Sequence, residues 1–260
     1  MKVEIENFKD KISSWKKSYP KIDFIFNSDL EEVEWGNIKY LVVADNPGDT
    51  EKENGRYLYS DSSSHHSKSG VISKKVFEFL NISDEVIILN KCPISTSKTE
   101  DLKDIPLRIL EETQEYMVNL VYNLYQNLEC KIYIFGFGGC YDYERGWLAK
   151  KDNGEYYAGQ VLSTFFEKLK LKFKSNEDTD NIYIMKHFSY WNIFSDLTFA
   201  HTTSQNNEKL QPCIKVTLKR LEEKNISPKD LMSALESLNY RNELFSSEVG
   251  VEVFADQSQS

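Results

Sequence analysis

The 260-residue sequence has no Cys-x-x-Cys pair, no apolar run near the roughly 18 residues of a membrane-spanning helix, and no surplus of basic residues. Its four cysteines, Cys92, Cys130, Cys140 and Cys213, lie far apart. That spacing excludes a zinc-finger pattern and a disulfide framework and predicts reduced, mostly buried thiols. Residues Met1 to Lys11 are charged throughout and lack a secretory apolar segment, so a soluble cytoplasmic protein is expected, with no membrane partner. The net charge of −9 and pI near 5.1 exclude a surface coated in phosphate-binding side chains. Any contact with nucleic acid has to come from local patches. One such stretch is K-L-K-L-K-F-K, carrying Lys168, Lys170, Lys172 and Lys174; a solvated helix end or an edge strand explains the alternation equally well. The phosphate-loop pattern G-x-x-x-x-G-K-[ST] is absent, and Gly136-Phe137-Gly138-Gly139 is read as a tight strand-to-helix turn.

What the chain does have is a 40% hydrophobic composition, enough for a sizeable core, and one stretch that organises the rest. Lys39 to Gly70 begins as the apolar run Tyr40–Ala44 and breaks at Asp45-Asn46-Pro47-Gly48 into a polar loop rich in serine. The run has the length and branching of a buried parallel strand, and Pro47-Gly48 cannot extend it. Open α/β sheets bind ligands beyond the carboxyl ends of their strands, which places Asp45 and Asn46 where chemistry is expected.

Along the chain, Ile5, Phe8, Ile12 and Trp15 recur at helical spacing before Pro20, and Asp23–Asn27 is read as a short strand followed by a turn of helix over 29–35. Val71–Leu80 predicts a helix with Val71, Val76, Phe77 and Leu80 inward and Asn81 as its stop. Val86–Leu89 is a second buried strand that delivers Asn90 to the same sheet edge. A polar irregular segment over 93–104 precedes a helix over 105–128 with Leu107, Leu110, Tyr116, Leu120 and Leu124 on its apolar stripe. Lys131–Phe135 and Asn181–Met185 are strands, with a polar excursion over 141–155 and a helix over 159–171 between them. Helices are expected over 208–224 and 227–239, the second with a Ser227-Pro228 start. Four strands alternating with helices predict a three-layer α/β/α fold with a four-stranded, mainly parallel sheet. The expected division is an α/β domain over residues 1–203 and a helical extension over 204–260 packed on it.

These residues resemble the uracil-DNA glycosylase superfamily. A-D-N-P-G-D-T-E-K-E-N-G-R, Ala44 to Arg56, is similar to G-E-A-P-G-x-x-E-x-x-x-G-R of the thermophile-type branch, and Asn46-Pro47-Gly48 matches the N-P-G of the mismatch-specific and single-strand-selective branches. Asn90 falls where the superfamily places the amide that reads the base, and His187-Phe188-Ser189 is similar to its H-P-S motif. The likeness covers about Tyr40 to Trp191. The chain departs from the pattern at Phe188, which replaces proline, at Ala44, which replaces glycine, and in the longer segment 60–69. The family's stacking aromatic falls on Leu58, between Tyr57 and Tyr59. Cys92 lies near the place of one iron–sulfur ligand of the thermophile-type branch, but its companions are missing, so no cluster and no other cofactor or metal is expected.

The resemblance implies a monomeric hydrolase that releases uracil or a related deaminated base from single-stranded or mismatched DNA, with the base flipped out of the stack. It implies that His187 donates to the base carbonyl, that Asn90 holds the base edge, and that Pro47, Gly48, Tyr57, Leu58 and Ser189 line the pocket. Asp45, in the place of the branch glutamate, is the candidate base; Asn46, an amide, can only orient the water. Gly48 stands where the most uracil-restricted branch has a tyrosine, which predicts a roomier pocket. Trp191 or Phe194 would be the wedge in the vacated stack, and a core aromatic explains either residue equally well. Plainer readings stand beside these: Asp45 and Asn46 as turn residues, Asn90 as a cap, His187 as a structural histidine, His65-His66 as a solvated pair, Glu51 as loop charge. A binding or regulatory protein on the same fold, and a nucleotide- or nucleoside-processing enzyme, are the alternative functions.

Overall fold

The computed structural model describes residues 1–57, 68–136, 141–142, 146–147, 161–174 and 179–185, and the single positions 229, 232, 236, 244 and 245. Strands β1 (Tyr40–Ala44), β2 (Val86–Asn90), β3 (Lys131–Ile134) and β6 (Ile182–Ile184) form an all-parallel sheet in the order β2-β1-β3-β6. Each is a short run of branched and aromatic residues, as a strand buried on both faces requires. The excursion over 141–155 contains a separate antiparallel ladder, β4 (Tyr141–Asp142) against β5 (Gly146–Trp147).

Side-chain alternation divides the sheet between two helical layers. Leu41, Val43, Ile87, Leu89, Ile132, Ile134, Ile182 and Ile184 face α1 (Lys2–Ser18), α4 (Leu107–Leu128) and α5 (Ser163–Lys174). Val42, Tyr133, Phe135 and Met185 face α3 (Lys68–Leu80), whose Val76, Phe77 and Leu80 point inward. The chain runs from β1 outward to β2 through α3, then back past β1 to β3 through α4. Crossovers of a single hand therefore put these two helices on opposite faces. The direction of building reverses between β1 and β3, and the crevice at such a reversal is where doubly wound sheets hold ligands.

The helices expected before Pro20 and over 71–80, 105–128 and 159–171, and the four sheet strands, occur within a few residues of their predicted bounds; the helices expected over 208–224 and 227–239 lie outside the described residues, apart from single positions. Asn81 ends α3 in the left-handed conformation, φ 56°. Asp23–Asn27 is an extended segment with a single bridge from Phe24 to Ile94 rather than a strand. Leu107, assigned to the apolar stripe of α4, is 66% exposed because it opens the helix beyond the edge of the core. The lysine alternation falls on α5, so its members do not all point one way: Lys168 pairs with Glu115 at 3.2 Å, Lys170 is buried, and Lys172 lies 4.9 Å over the Tyr122 ring. Lys168 and Lys172, four residues apart, share one side of the helix and Lys170 lies on another, so the alternation makes no continuous row. At the other end of the sheet, Glu236 accepts hydrogen bonds from Tyr133 (2.9 Å) and Lys131 (2.6 Å), and Leu244 is buried in the main core. No helix among the described residues is long and apolar enough to cross a membrane.

Candidate functional site

The parallel register pairs Ala44 with Asn90, so the residues leaving β1 and β2 emerge side by side. The Lys91 amide donates to the carbonyls of Ala44 (2.8 Å) and Asp45 (2.9 Å), which carries the pairing one step past the strands. Further on, the Thr96 amide donates to the Pro47 carbonyl (3.1 Å), Ser95 Oγ to the Gly48 carbonyl (3.1 Å) and Ser97 Oγ to Asp49 Oδ2 (2.7 Å). The β1 loop is thus laced to the segment leaving β2, and both backbones are held against each other.

Asp45 pairs with Lys91. Lys91 shares the inward parity of Ile87 and Leu89, and its side chain is 0% exposed, with Nζ 4.8 Å over the Phe166 ring of α5. Stripping water from an ammonium costs several kcal/mol, and the carboxylate together with the ring face offsets that cost. Gly136, just past β3, completes the arrangement. Its φ is 96°, and a Cβ there would lie 2.1 Å from Asp45 Oδ1 and 2.4 Å from Lys91 Nζ. Three strand ends therefore meet at Asp45: its own, that of β2 through Lys91, and that of β3 through Gly136.

Asn46 Nδ2 donates to Thr96 Oγ1 (2.8 Å) and lies 3.2 Å from the carbonyls of Pro47 and Ile94. Asn90, the last residue of β2, is 2% exposed. The side-chain oxygens of Asn46 and Asn90 are buried and accept no hydrogen bond. Buried polar atoms are nearly always paired, so two amide oxygens left over at one sheet edge mark a place for a hydrogen-bond donor.

Of the other predicted pocket residues, Gly48 starts α2 (Asp49–Asn54), and its amide donates to Glu51 Oε2 at 3.2 Å. Glu51, read as loop charge, is instead a buried cap of that helix. Tyr57 is buried in the core. Its hydroxyl donates to the Ile25 carbonyl (2.6 Å), and burial raises its pKa, so it is a packing residue and not an open stacking face. Cys92 is also buried, its Sγ 3.6 Å from Thr113 Oγ1, and burial pushes its thiol up to about 11. Leu58, His187 and Ser189 lie outside the described residues, as do Tyr59, His65, His66, Phe188, Trp191 and Phe194. Among the described residues, no group of three or more His, Cys, Asp or Glu is placed to hold a metal ion.

Sequence reasoning brought Asp45, Asn46, Pro47, Gly48 and Asn90 to one sheet edge, where they are found. It missed Lys91 and Thr96. A signal for Lys91 existed, since a residue two past the inward-facing Leu89 inherits its direction. No protein-family model and no curated protein matches this chain.

Proposed function

We propose that the chain is a DNA base-excision glycosylase, hydrolysing the N-glycosidic bond of uracil or a related deaminated base. It would act as a cytoplasmic monomer on single-stranded or mismatched DNA. The observation that carries this reading is the Asn90 amide oxygen, buried and without a donor at the sheet edge where the neighbouring strand leads into Asp45 and Asn46. Leaving such an atom unsatisfied costs about 1–3 kcal/mol. The ring N–H of uracil, hypoxanthine or xanthine supplies the missing donor, whereas cytosine and adenine present a bare ring nitrogen at that edge. An unpaired acceptor thereby separates uracil from cytosine and hypoxanthine from adenine.

Breaking the glycosidic bond builds positive charge on the sugar and negative charge on the leaving base. In this reading the Asp45 carboxylate faces the sugar and accepts from the attacking water. The Asn46 oxygen receives that water's other hydrogen. Lys91 draws on the same carboxylate, so Asp45 serves to orient the water as well as to take its proton. His187 would donate to the base carbonyl, as the sequence resemblance implies.

The test is incubation of the protein with labelled single-stranded and duplex oligonucleotides carrying uracil, hypoxanthine or xanthine, followed by alkaline cleavage at abasic sites. Product from at least one base, reduced ~10²-fold or more in Asn90→Ala and in His187→Ala, is expected. No product from any of them, with an authentic uracil glycosylase cutting the same oligonucleotides, would overturn the proposal in favour of a small nucleoside or nucleotide ligand.

A further inference from the structure

The Asn46 amide is hemmed in on one side by acceptors alone. Its Nδ2 has Thr96 Oγ1 at 2.8 Å and the carbonyls of Pro47 and Ile94 each at 3.2 Å. A carbonyl oxygen can only accept. The Thr96 hydroxyl gives its single proton to the Lys98 carbonyl, 2.8 Å away, so toward Asn46 it too can only accept. Turning the amide over would set Oδ1 against three oxygens and forfeit all of these bonds. Nδ2 therefore faces the segment leaving β2. Oδ1 faces away from it, buried and without a donor. Asn46 offers its surroundings an acceptor and no donor.

The direction matters for a nucleophilic water. A water that donates one hydrogen to Asn46 Oδ1 and another to a carboxylate keeps a lone pair free to attack. A water bound instead by an amide NH₂ spends one of its two lone pairs on that donor and is aimed less well at the sugar. Of the three groups that fix the amide, two are backbone carbonyls present whatever the side chain. Thr96 is the one side-chain member, and it also makes the shortest contact.

We infer that Thr96 is a positioning residue, which orients the Asn46 amide so that its oxygen aims the attacking water; its part in the reaction rests on the glycosylase reading. Thr96 touches no reacting atom, so its effect passes entirely through Asn46. The Thr96 backbone amide holds Pro47 independently of the side chain, and Thr96 is only half-buried, so substitutions that keep its shape leave the loop in place.

The experiment uses the full chain as wild type, Thr96→Val and Thr96→Ser. Hydrogen exchange of the Asn46 side-chain NH₂, assigned by the loss of its NMR signals in Asn46→Asp, reads the orientation directly. Exchange roughly tenfold faster in Thr96→Val, with wild-type protection in Thr96→Ser, is expected for loss of one hydrogen bond. On an oligonucleotide that the wild type cleaves, kcat falls roughly tenfold in Thr96→Val with KM unchanged, and Thr96→Ser recovers it. Unchanged exchange in Thr96→Val overturns the inference. So does changed exchange with unchanged kcat. If the wild type releases no base, the glycosylase reading falls, and amide exchange alone decides whether Thr96 sets Asn46. Should Thr96→Val fail to fold, Thr96→Ala is measured in its place.

Discussion

Lys91 and Asp45 form an ion pair in which the ammonium is wholly excluded from solvent while the carboxylate retains a small exposed edge. The asymmetry predicts unequal costs. Asp45→Asn leaves a full positive charge sealed in the protein, whereas Lys91→Met leaves a carboxylate that water can partly reach. Removing one partner of a buried pair typically costs about 3–5 kcal/mol. Urea unfolding at neutral pH should place Asp45→Asn in or above that range and Lys91→Met below it. The double variant Asp45→Asn/Lys91→Met, with no charge to bury, should recover most of the loss. Additive single-variant effects would show that the pair is not coupled in the folded state.

Gly136 is the test of how closely the pair is enclosed. Alanine there meets both an unfavourable φ of 96° and a Cβ position 2.1 Å from Asp45 Oδ1. Gly136→Ala should lose about 3 kcal/mol or more, because the pair must separate to admit the methyl group. Two other glycines calibrate the terms. Gly55 has φ 64° but open space around its Cβ position, so Gly55→Ala should cost only about 1–2 kcal/mol of backbone strain. Gly36 has neither obstacle, and Gly36→Ala should be neutral or gain up to about 1 kcal/mol. Thermal unfolding of the three variants checks the ranking.

These features were not equally legible in the sequence. The strands Tyr40–Ala44 and Val86–Asn90 announce themselves as short branched runs, and their polar ends predict a common edge because parallel strands finish together. Lys91 does not announce itself. Between Asn90 and Cys92 it has the look of a surface lysine, and only the parity set by Ile87 and Leu89, plus a carboxylate from 46 residues earlier, explains its burial. Thr96 is harder still, since its role arises from a hydrogen-bond direction fixed by the Lys98 carbonyl. The alternating lysines of α5 fitted a helix end and an edge strand equally well in the sequence, and the helix is what is found; a period of two is no guide to direction once the segment is helical. Tyr57 was legible as an aromatic in the right neighbourhood, but whether a ring faces a ligand or the core depends on contacts from Ile25 and Asn27 that sequence order conceals.

Cys92 and Cys130 should be inert in the native protein. Burial pushes each thiol up to about 11, so near pH 8 only about one in a thousand is thiolate, and neither is accessible. Iodoacetamide at pH 8 followed by peptide mapping should leave both unmodified, and both should react fully in denaturant. Rapid native alkylation of either would contradict its placement.

Glu112 ties α4 to α1, accepting from Trp15 Nε1 (2.8 Å) and Lys11 Nζ (2.9 Å). These donors, Trp15 first, hold its carboxyl below the usual range. A folded-state value below the unfolded one means that this contribution is fully present above the ordinary glutamate pKa of about 4.3. It is lost as pH falls through the lowered value. Glu112→Gln should therefore flatten the acid limb of the stability curve below about pH 4.3. The group is partly exposed, so the effect is a change of slope, read by urea unfolding of both proteins across that interval.

Asn90 carries the prediction that separates stability from function. Its side chain is buried at the end of a strand, on the parity of Val86 and Ile88, with an oxygen that nothing satisfies. A residue retained only for folding would not hold an unpaired acceptor there, since that position favours a branched apolar side chain. Asn90→Val should thus leave the melting temperature unchanged or raise it, in keeping with a gain of up to about 1–3 kcal/mol when an unsatisfied buried oxygen is removed. The same variant should lose base release from any oligonucleotide that the wild type cleaves, because the donor edge of the base has no acceptor to meet. Thermal unfolding and single-turnover cleavage on one preparation decide both halves. A fall in melting temperature would assign Asn90 to the fold, and a stable variant that still cleaves would remove it from the site.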